Sequence, residues 1–238
     1  HPINHKLPSK DHPNEPTASP HLTQKNYERI KTFEENKEIV AKGFYKTSTF
    51  GLTHNIKNDY DNSIKNTKIT ATEALTYDSK RKKCQKIDHY RIYLKIEVTR
   101  ESTFAAAIRI KSFYKKLCVL NFASATKPGG GVLNGRNAQE ESLSRQSTLY
   151  FSLVEQKKFY DYNKLHYDSF GTDYMIYSPN IYILRNDNDK LIDPIKVSVI
   201  SSVAVNYSEL ITNYHGNDLN QKVYDVMKNR CRRILELC

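Results

Sequence analysis

Residues 117–149 read LCVLNFASATKPGGGVLNGRNAQEESLSRQSTL, and this stretch decides the fold. It opens with a short apolar run, Leu117–Phe122, which predicts a buried strand. A loop follows from Ala123 to about Asn137 and contains Gly129-Gly130-Gly131. After the loop, apolar side chains at helical spacing predict one amphipathic helix. These apolar positions are Leu143, Leu149, Tyr150 and Leu153.

The sequence on either side of this stretch alternates between helix and strand patterns. Predicted helices cover residues 27–42, 103–110 and 219–237, and predicted strands cover residues 91–98, 175–177, 181–184 and 195–205. Thr99 or Ser102 can cap the second of these helices. The Ser178-Pro179-Asn180 and Asn186–Lys190 segments predict turns. Strands that alternate with helices predict an α/β fold with layers around a mixed sheet.

The N-terminal segment differs in composition from the rest of the chain. Residues 1–24 contain five Pro and four His and very few apolar side chains. Such a composition cannot offset the entropy lost on ordering, so residues 1–24 are predicted to form a flexible tail. The remaining residues, 25–238, are predicted to form one domain.

The chain carries a net charge of +11, which predicts attraction to an anionic partner. Nucleic acid, poly(ADP-ribose), nucleotides and acidic membranes all satisfy this condition, so charge alone selects no substrate. The run of four basic residues at 80–83 equally describes a solvated loop.

The four cysteines form no Cys-x-x-Cys pair and have no histidine at metal-ligand spacing, so no metal site is expected. This usage predicts a reduced, intracellular protein, with Cys118 as a small core residue. We also expect neither a membrane span nor a signal peptide, because no apolar run is long enough. Phe159, Tyr160 and Tyr162 are assigned to packing.

Chemistry is expected where the glycine loop meets the pair Glu140-Glu141. Glycines let backbone N–H groups approach a ligand closely, and a helix N-terminus favours an anion such as a diphosphate. Two carboxylates beside such a loop could act as a glycosidic acid and its partner. The spacing alone leaves an alternative open, since a triple glycine also describes a turn and two glutamates suit the start of any helix.

The combined motif resembles the signature of the microbial-type poly(ADP-ribose) glycohydrolases. The resemblance rests on Leu120–Ala125, Pro128–Gly131 and Gln139–Glu141, with seven residues between the last two segments. It continues through residues 142–150 and resumes at residues 177–179 and 197–205. The resemblance implies a macrodomain-like three-layer α/β/α fold with a mixed sheet.

Site roles follow from the same resemblance. Glu141 would be the catalytic acid/base, and Glu140 would hold the ribose at the scissile bond. Gly129, Gly130 and Gly131 would wrap the diphosphate, and Asn121 and Gln139 would complete the ligand-binding set. The implied reaction hydrolyses ribose–ribose bonds in poly(ADP-ribose) and releases ADP-ribose, without a metal or cofactor. Partners would be poly(ADP-ribose) or ADP-ribosylated proteins, inside the cell and in the cytoplasm, or in the nucleus of a eukaryote.

One departure from the family keeps two other hypotheses open. Family members carry a strand and a second glycine-rich loop after the helix that resembles residues 224–237, and this sequence ends at Cys238. The domain is therefore expected to be incomplete at its C-terminus. A catalytically weak or inactive ADP-ribose-binding macrodomain module is the alternative to an active hydrolase. A nucleic-acid-binding protein is a third hypothesis and rests on charge alone.

Overall fold

The computed structural model of the chain describes residues 22–47, 51–70, 95–166 and 168–238. Its strands are β1 (Phe44–Lys46), β2 (Thr53–Asn55), β3 (Lys68–Thr70), β4 (Cys118–Ala123), β5 (Met175–Arg185) and β6 (Leu191–Val203). Its helices are α1 (Gln24–Lys42), α2 (Lys57–Asn66), α3 (Thr103–Ile110), α4 (Gln139–Gln146), α5 (Leu149–Val154), α6 (Lys157–Leu165), α7 (Tyr207–Asn213) and α8 (Leu219–Leu237). No helix within these described ranges is both long enough and apolar enough to cross a bilayer.

The larger sheet is mixed and has the strand order β3-β5-β6-β4. Strands β5 and β6 form a long antiparallel hairpin, and β3 is antiparallel to β5. Strand β4 runs parallel to β6, with Cys118 opposite Ser198 and Ala123 opposite Val203. The predicted α/β fold with a mixed sheet is confirmed. Strand β4 is the last strand in this order, and the glycine loop follows its carboxyl end directly in the chain.

The main core lies between the β5–β6 hairpin and the helices that pack on it. Its most buried side chains include Phe104, Leu149, Leu153, Phe159, Ile181, Ile183 and Val199. Burying each large apolar side chain contributes about 1.5–3 kcal/mol. This core includes Leu143 from α4 and Leu149 and Leu153 from α5, so it also fixes the helix that carries Glu140 and Glu141.

Helix α1 begins earlier than the sequence pattern suggests. Residues 1–21 of the predicted tail lie outside the described residues, but Thr23 caps the helix by accepting a hydrogen bond from the Asn26 N–H. The predicted end at Gly43 is confirmed, and this glycine adopts φ 76°. Phe33 and Ile39 are buried as expected, whereas Tyr27 is exposed on the first turn.

The predicted strand at residues 91–98 is wrong over its described part. Residues 95–98 have no regular structure, and Ile96 and Val98 are exposed. Alternating apolar residues form a strand only when a neighbour completes their backbone hydrogen bonds, and the described residues contain no such neighbour. Residues 91–94 lie outside the described ranges.

Two further predictions are corrected around the core. The single helix predicted after the loop is divided into α4 and α5, because extended Ser147 pairs with Ile183 and the Thr148 N–H donates to the Tyr182 carbonyl. The predicted turn at residues 178–180 is a bulge within β5, where Asn180 adopts φ 54°.

The other predictions near the sheet mostly hold. Ser102 caps α3, and α8 has the predicted bounds. Phe159 and Tyr160 are buried, as their assignment to packing requires, whereas Tyr162 is exposed and contacts the His166 and Tyr174 rings at the surface. Strand β4 is buried on one face only, so Cys118 is exposed and does not belong to the core.

Candidate active site

A cavity of about 640 Å³ lies where β4, the glycine loop and the start of α4 meet. Its walls include Gly130 and Gly131 on the loop and Glu140 and Glu141 on the helix. The end of β4 contributes Phe122 and the residues that follow it. Part of the glycine loop and the carboxylate pair therefore lie in one concave site. A volume of this size lies within the range of about 300–1,000 Å³ that is usual for ligand sites.

A second cavity, of about 520 Å³, lies between residues 168–174 and α8. Its most buried charged side chain is Arg230, which donates to Asp173 and to the carbonyls of Phe170 and Val203. These bonds hold α8 against the loop. The first cavity is the better candidate for chemistry because it contains a carboxylate pair with an unpaired oxygen atom.

The glycine loop approaches Glu141 so closely that a side chain would not fit. Gly130 adopts φ 58°, and a Cβ atom there would lie 2.6 Å from Glu141 Oε1. The next backbone N–H, that of Gly131, donates to the same oxygen at 2.8 Å. The glycine loop thus fixes the orientation of the Glu141 carboxylate, while α4 fixes the Glu141 backbone.

The two oxygens of Glu141 have different surroundings. Oε1 is held by Gly131, whereas Oε2 is buried and has no hydrogen-bond partner among the described residues. Only 7% of the Glu141 surface is exposed, although the residue lines the cavity. A buried polar atom without a partner costs free energy, so an unpaired oxygen on a residue of the cavity wall needs an explanation.

Glu140 is engaged through both of its oxygens. Oε2 accepts the Ser124 N–H at 2.7 Å, and Oε1 accepts a hydrogen bond from Asn121 Nδ2 at 3.3 Å. Burial, with a smaller contribution from the Glu141 charge, raises the pKa of Glu140 to about 7 against the opposing effect of its hydrogen bonds. A substantial fraction of Glu140 is therefore protonated near neutral pH.

Gln139 lines the cavity, but its amide is used to hold α4 on β4. Oε1 accepts the Phe122 N–H at 2.8 Å, and Nε2 donates to the Leu120 carbonyl at 2.7 Å and to Thr103 Oγ1 at 3.1 Å. The side chain thus occupies positions on the free edge of β4 that a neighbouring strand would use. A direct contact between Gln139 and a ligand stays a prediction.

Asn121 and Gly129 lie behind the cavity surface. Asn121 is fully buried and donates to Glu140 and Ser201, and Gly129 packs against Tyr150. Neither residue is among those that line the cavity. Their ligand-binding roles stay predictions, while the structure places Asn121 as a support for Glu140.

The far end of α4 is held by a buried polar network that the sequence did not reveal. Arg145 Nε donates to Asp189 at the tip of the β5–β6 hairpin, and the Arg145 carbonyl accepts a hydrogen bond from Asn36 of α1. Arg185 donates to the same asparagine at 2.8 Å. Helix α1 and the β5–β6 hairpin, both distant in sequence, thus meet at α4, and no local pattern indicates such a meeting.

The predicted site also lacks several residues of the cavity wall, including Ser124, Lys127 and Arg136. Ser124 supplies the amide that binds Glu140, and Lys127 and Arg136 place positive charge at the cavity. The available signal was their position inside the loop that joins β4 to α4. Within the described residues, no cluster of three or more His, Cys, Asp or Glu side chains could hold a metal ion.

Comparisons with known proteins identify relatives of this chain. The model of a family described as the microbial-type PARG catalytic domain, where PARG denotes poly(ADP-ribose) glycohydrolase, matches residues 34–186. The PARG of Thermomonospora curvata, solved with the inhibitor ADP-HPD bound, is 30% identical with a TM-score of 0.75, over 88% of this chain and 73% of its own. The PARG of Deinococcus radiodurans in complex with ADP-ribose is 41% identical with a TM-score of 0.56, over 59% of this chain and 57% of its own. A comparison with curated proteins gave no significant match.

Proposed function

The chain belongs to the family of microbial-type poly(ADP-ribose) glycohydrolases, and from this premise we propose that it hydrolyses ribose–ribose bonds in poly(ADP-ribose) and releases ADP-ribose. The cavity beside the glycine loop is the proposed site of the reaction. Poly(ADP-ribose) or ADP-ribosylated proteins are the proposed partners, with ADP-ribose as the product ligand.

The observation that carries this proposal is the asymmetry of the Glu141 carboxylate. One oxygen is fixed by the Gly131 N–H, and the other is buried at the cavity without a partner among the described residues. A carboxyl group held in this way is oriented before substrate arrives, and no hydrogen bond within the described residues competes with a substrate for its second oxygen. We therefore assign the acid/base role to Glu141.

The reaction requires Glu141 to transfer a proton twice. As the bond between ribose C1 and the departing ribose oxygen breaks, the protonated Glu141 carboxyl donates its proton to that oxygen. Water then bonds to the oxocarbenium-like C1, and the carboxylate takes the proton that this water releases. Glu141 is protonated again at the end of the reaction. One glutamate thus acts as both acid and base, although glycosidases usually use two carboxylates.

Glu140 is the competing candidate, because its raised pKa suits a general acid near neutral pH. Geometry favours Glu141 instead, since both Glu140 oxygens already accept hydrogen bonds from the protein. We assign Glu140 to holding the ribose that adjoins the scissile bond.

The assay for this proposal incubates the purified chain with poly(ADP-ribose) and follows free ADP-ribose. We expect release by the parent and a loss of about 100-fold or more in Glu141→Gln, since general acid/base catalysis contributes about 10²–10⁴-fold. Glu155→Gln is the matched control, because Glu155 is exposed at the end of α5. Saturable binding of ADP-ribose by a parent that releases none would instead establish the binding-module alternative.

A further inference from the structure

Two cationic side chains line the proposed active site and have no assigned role. Lys127 precedes the triple glycine, and Arg136 follows it. Arg136 lies against the loop, since a Cβ atom on Gly131 would be 2.6 Å from Arg136 Cδ. Both residues are exposed, and neither forms an ion pair with the described part of the chain. Their charges are therefore available to a ligand.

The glycine N–H groups, by contrast, are already engaged inside the protein. The Gly130 N–H donates to the Lys127 carbonyl at 3.0 Å, and the Gly131 N–H donates to Glu141 at 2.8 Å. The Gly129 N–H interacts with the Glu140 carboxylate. The loop amides thus orient the two glutamates. A diphosphate that used them as donors would have to displace these bonds.

Electrostatics also require positive charge in this cavity. A diphosphate brings negative charge close to Glu140, which is partly ionised near neutral pH, and like charges at such short range repel. Among the residues that line the cavity, Lys127 and Arg136 are the cationic ones. The guanidinium can bind two phosphate oxygens at once, whereas the ammonium supplies a compact charge.

We propose that Lys127 and Arg136 bind the diphosphate of an ADP-ribose unit and determine how tightly the site holds its anionic substrate. The inference rests on the proposed function and adds side-chain contacts to it. The diphosphate belongs either to the terminal unit, which is released as ADP-ribose, or to the neighbouring unit, whose ribose oxygen is the leaving group. Both sources share the same chemistry, and the experiment separates them.

The experiment compares Lys127→Gln, Arg136→Gln and the double variant with the parent. We measure the Kd for free ADP-ribose by calorimetry and the kcat and KM for poly(ADP-ribose), each at low and high salt. Each single variant should weaken binding about threefold, and the double variant about tenfold, at low salt. The differences should shrink at high salt because screening weakens exposed charges.

Two controls separate charge from structure. Lys65→Gln removes one charge from the exposed end of α2, away from the cavity. Arg136→Lys keeps the charge beside Gly131 and should retain most of the parent affinity. If Arg136→Lys loses as much affinity for ADP-ribose as Arg136→Gln, and if neither loss depends on salt, Arg136 only packs on the loop. This result would overturn the part of the proposal that concerns Arg136.

The two ligands identify which diphosphate is bound. If the variants have a higher Kd for free ADP-ribose, the contact is with the terminal unit. If they have a higher KM for the polymer and an unchanged Kd for ADP-ribose, the contact is with the neighbouring unit. Changes no larger than those of Lys65→Gln in both measurements overturn the inference. A parent that binds ADP-ribose without cleaving polymer overturns the proposed reaction, while the Kd values still decide the inference. A parent that neither binds nor cleaves overturns both.

Discussion

At the scale of single residues, Glu140 and Glu141 are neighbours in sequence and differ in environment. Glu140 is tied to Ser124 and Asn121 and has a raised pKa, whereas Glu141 keeps one oxygen unpaired beside the cavity. Adjacent helical residues project about 100° apart, so the two side chains meet different surroundings. The motif predicted that both matter, but only the fold shows which groups surround each one.

The raised pKa of Glu140 predicts how stability depends on pH. The folded pKa of about 7 lies above the ordinary 4.5, so the stabilising contribution is fully present below pH 4.5 and is lost as pH rises through 7. Between pH 5 and 8 the free energy of unfolding of the parent should fall by up to about 3 kcal/mol relative to Glu140→Gln. Urea unfolding at several pH values measures this difference, and parallel curves for the two proteins would contradict it.

Gly130 offers a second test at this scale. Gly130→Ala would place Cβ against Glu141 Oε1, so the carboxylate must move. A displacement of about 1 Å at a catalytic group costs about 100-fold in rate, and this is the loss of kcat that we expect.

Gly51→Ala is the matched control for that test, because Gly51 has a similar φ of 61° and no atom within 4 Å of the added Cβ. Both variants carry the strain of a left-handed alanine, about 1–2 kcal/mol. Thermal unfolding should therefore show comparable losses, while only Gly130→Ala loses activity. Equal activity in the two variants would mean that the close approach to Glu141 has no catalytic importance.

At the scale of secondary-structure elements, the site depends on how α4 is attached to the edge strand β4. The amide of Gln139 completes backbone hydrogen bonds of Phe122 and Leu120, and this attachment sets the position of the glutamates that follow. Gln139→Ala should therefore cost about 1–2 kcal/mol of stability. It should also lower kcat more than it weakens ADP-ribose binding.

Gln156→Ala is the comparison for this prediction, because the Gln156 amide also donates to a backbone carbonyl, that of Thr67, outside the active-site cavity. Gln156→Ala should lose stability without losing kcat. If both variants keep the parent kcat, Gln139 stabilises the fold and does not position the catalytic helix.

Element predictions succeeded where local chemistry decides the structure. Ser102 and Gly43 mark helix ends through their own hydrogen bonds and φ angles, so the sequence sufficed there. The sequence did not suffice where a residue distant in the chain determines the local structure. Ser147 interrupts a helical pattern by pairing with β5, and residues 95–98 alternate like a strand without a described neighbour.

At the scale of the whole molecule, three segments converge to fix α4, the helix that carries Glu140 and Glu141. The hairpin tip contributes Asp189, α1 contributes Asn36, and β4 holds Gln139 at the other end of α4. The buried core beneath the helix includes Leu143. Such convergence depends on tertiary packing, which explains why the motif indicated the glycine loop and the carboxylate pair but not the residues that support them.

The net charge of +11 also acts at this scale. A positive field attracts a polyanionic substrate over a distance of about 8 Å at physiological salt. Lys127 and Arg136 place part of that charge at the cavity itself. Charge alone left nucleic acid as an open hypothesis. Because the chain belongs to the glycohydrolase family, we propose that the positive charge helps to bind poly(ADP-ribose).

The most direct test of the central claim measures polymer cleavage and ligand binding in the same preparations of the parent and Glu141→Gln. We expect kcat/KM for release of ADP-ribose to fall about 100-fold or more in Glu141→Gln, while the Kd for ADP-ribose stays within about threefold of the parent value. This pattern would place Glu141 in the chemical step. Release at the parental rate by Glu141→Gln, or no release by the parent despite normal binding, would contradict the account.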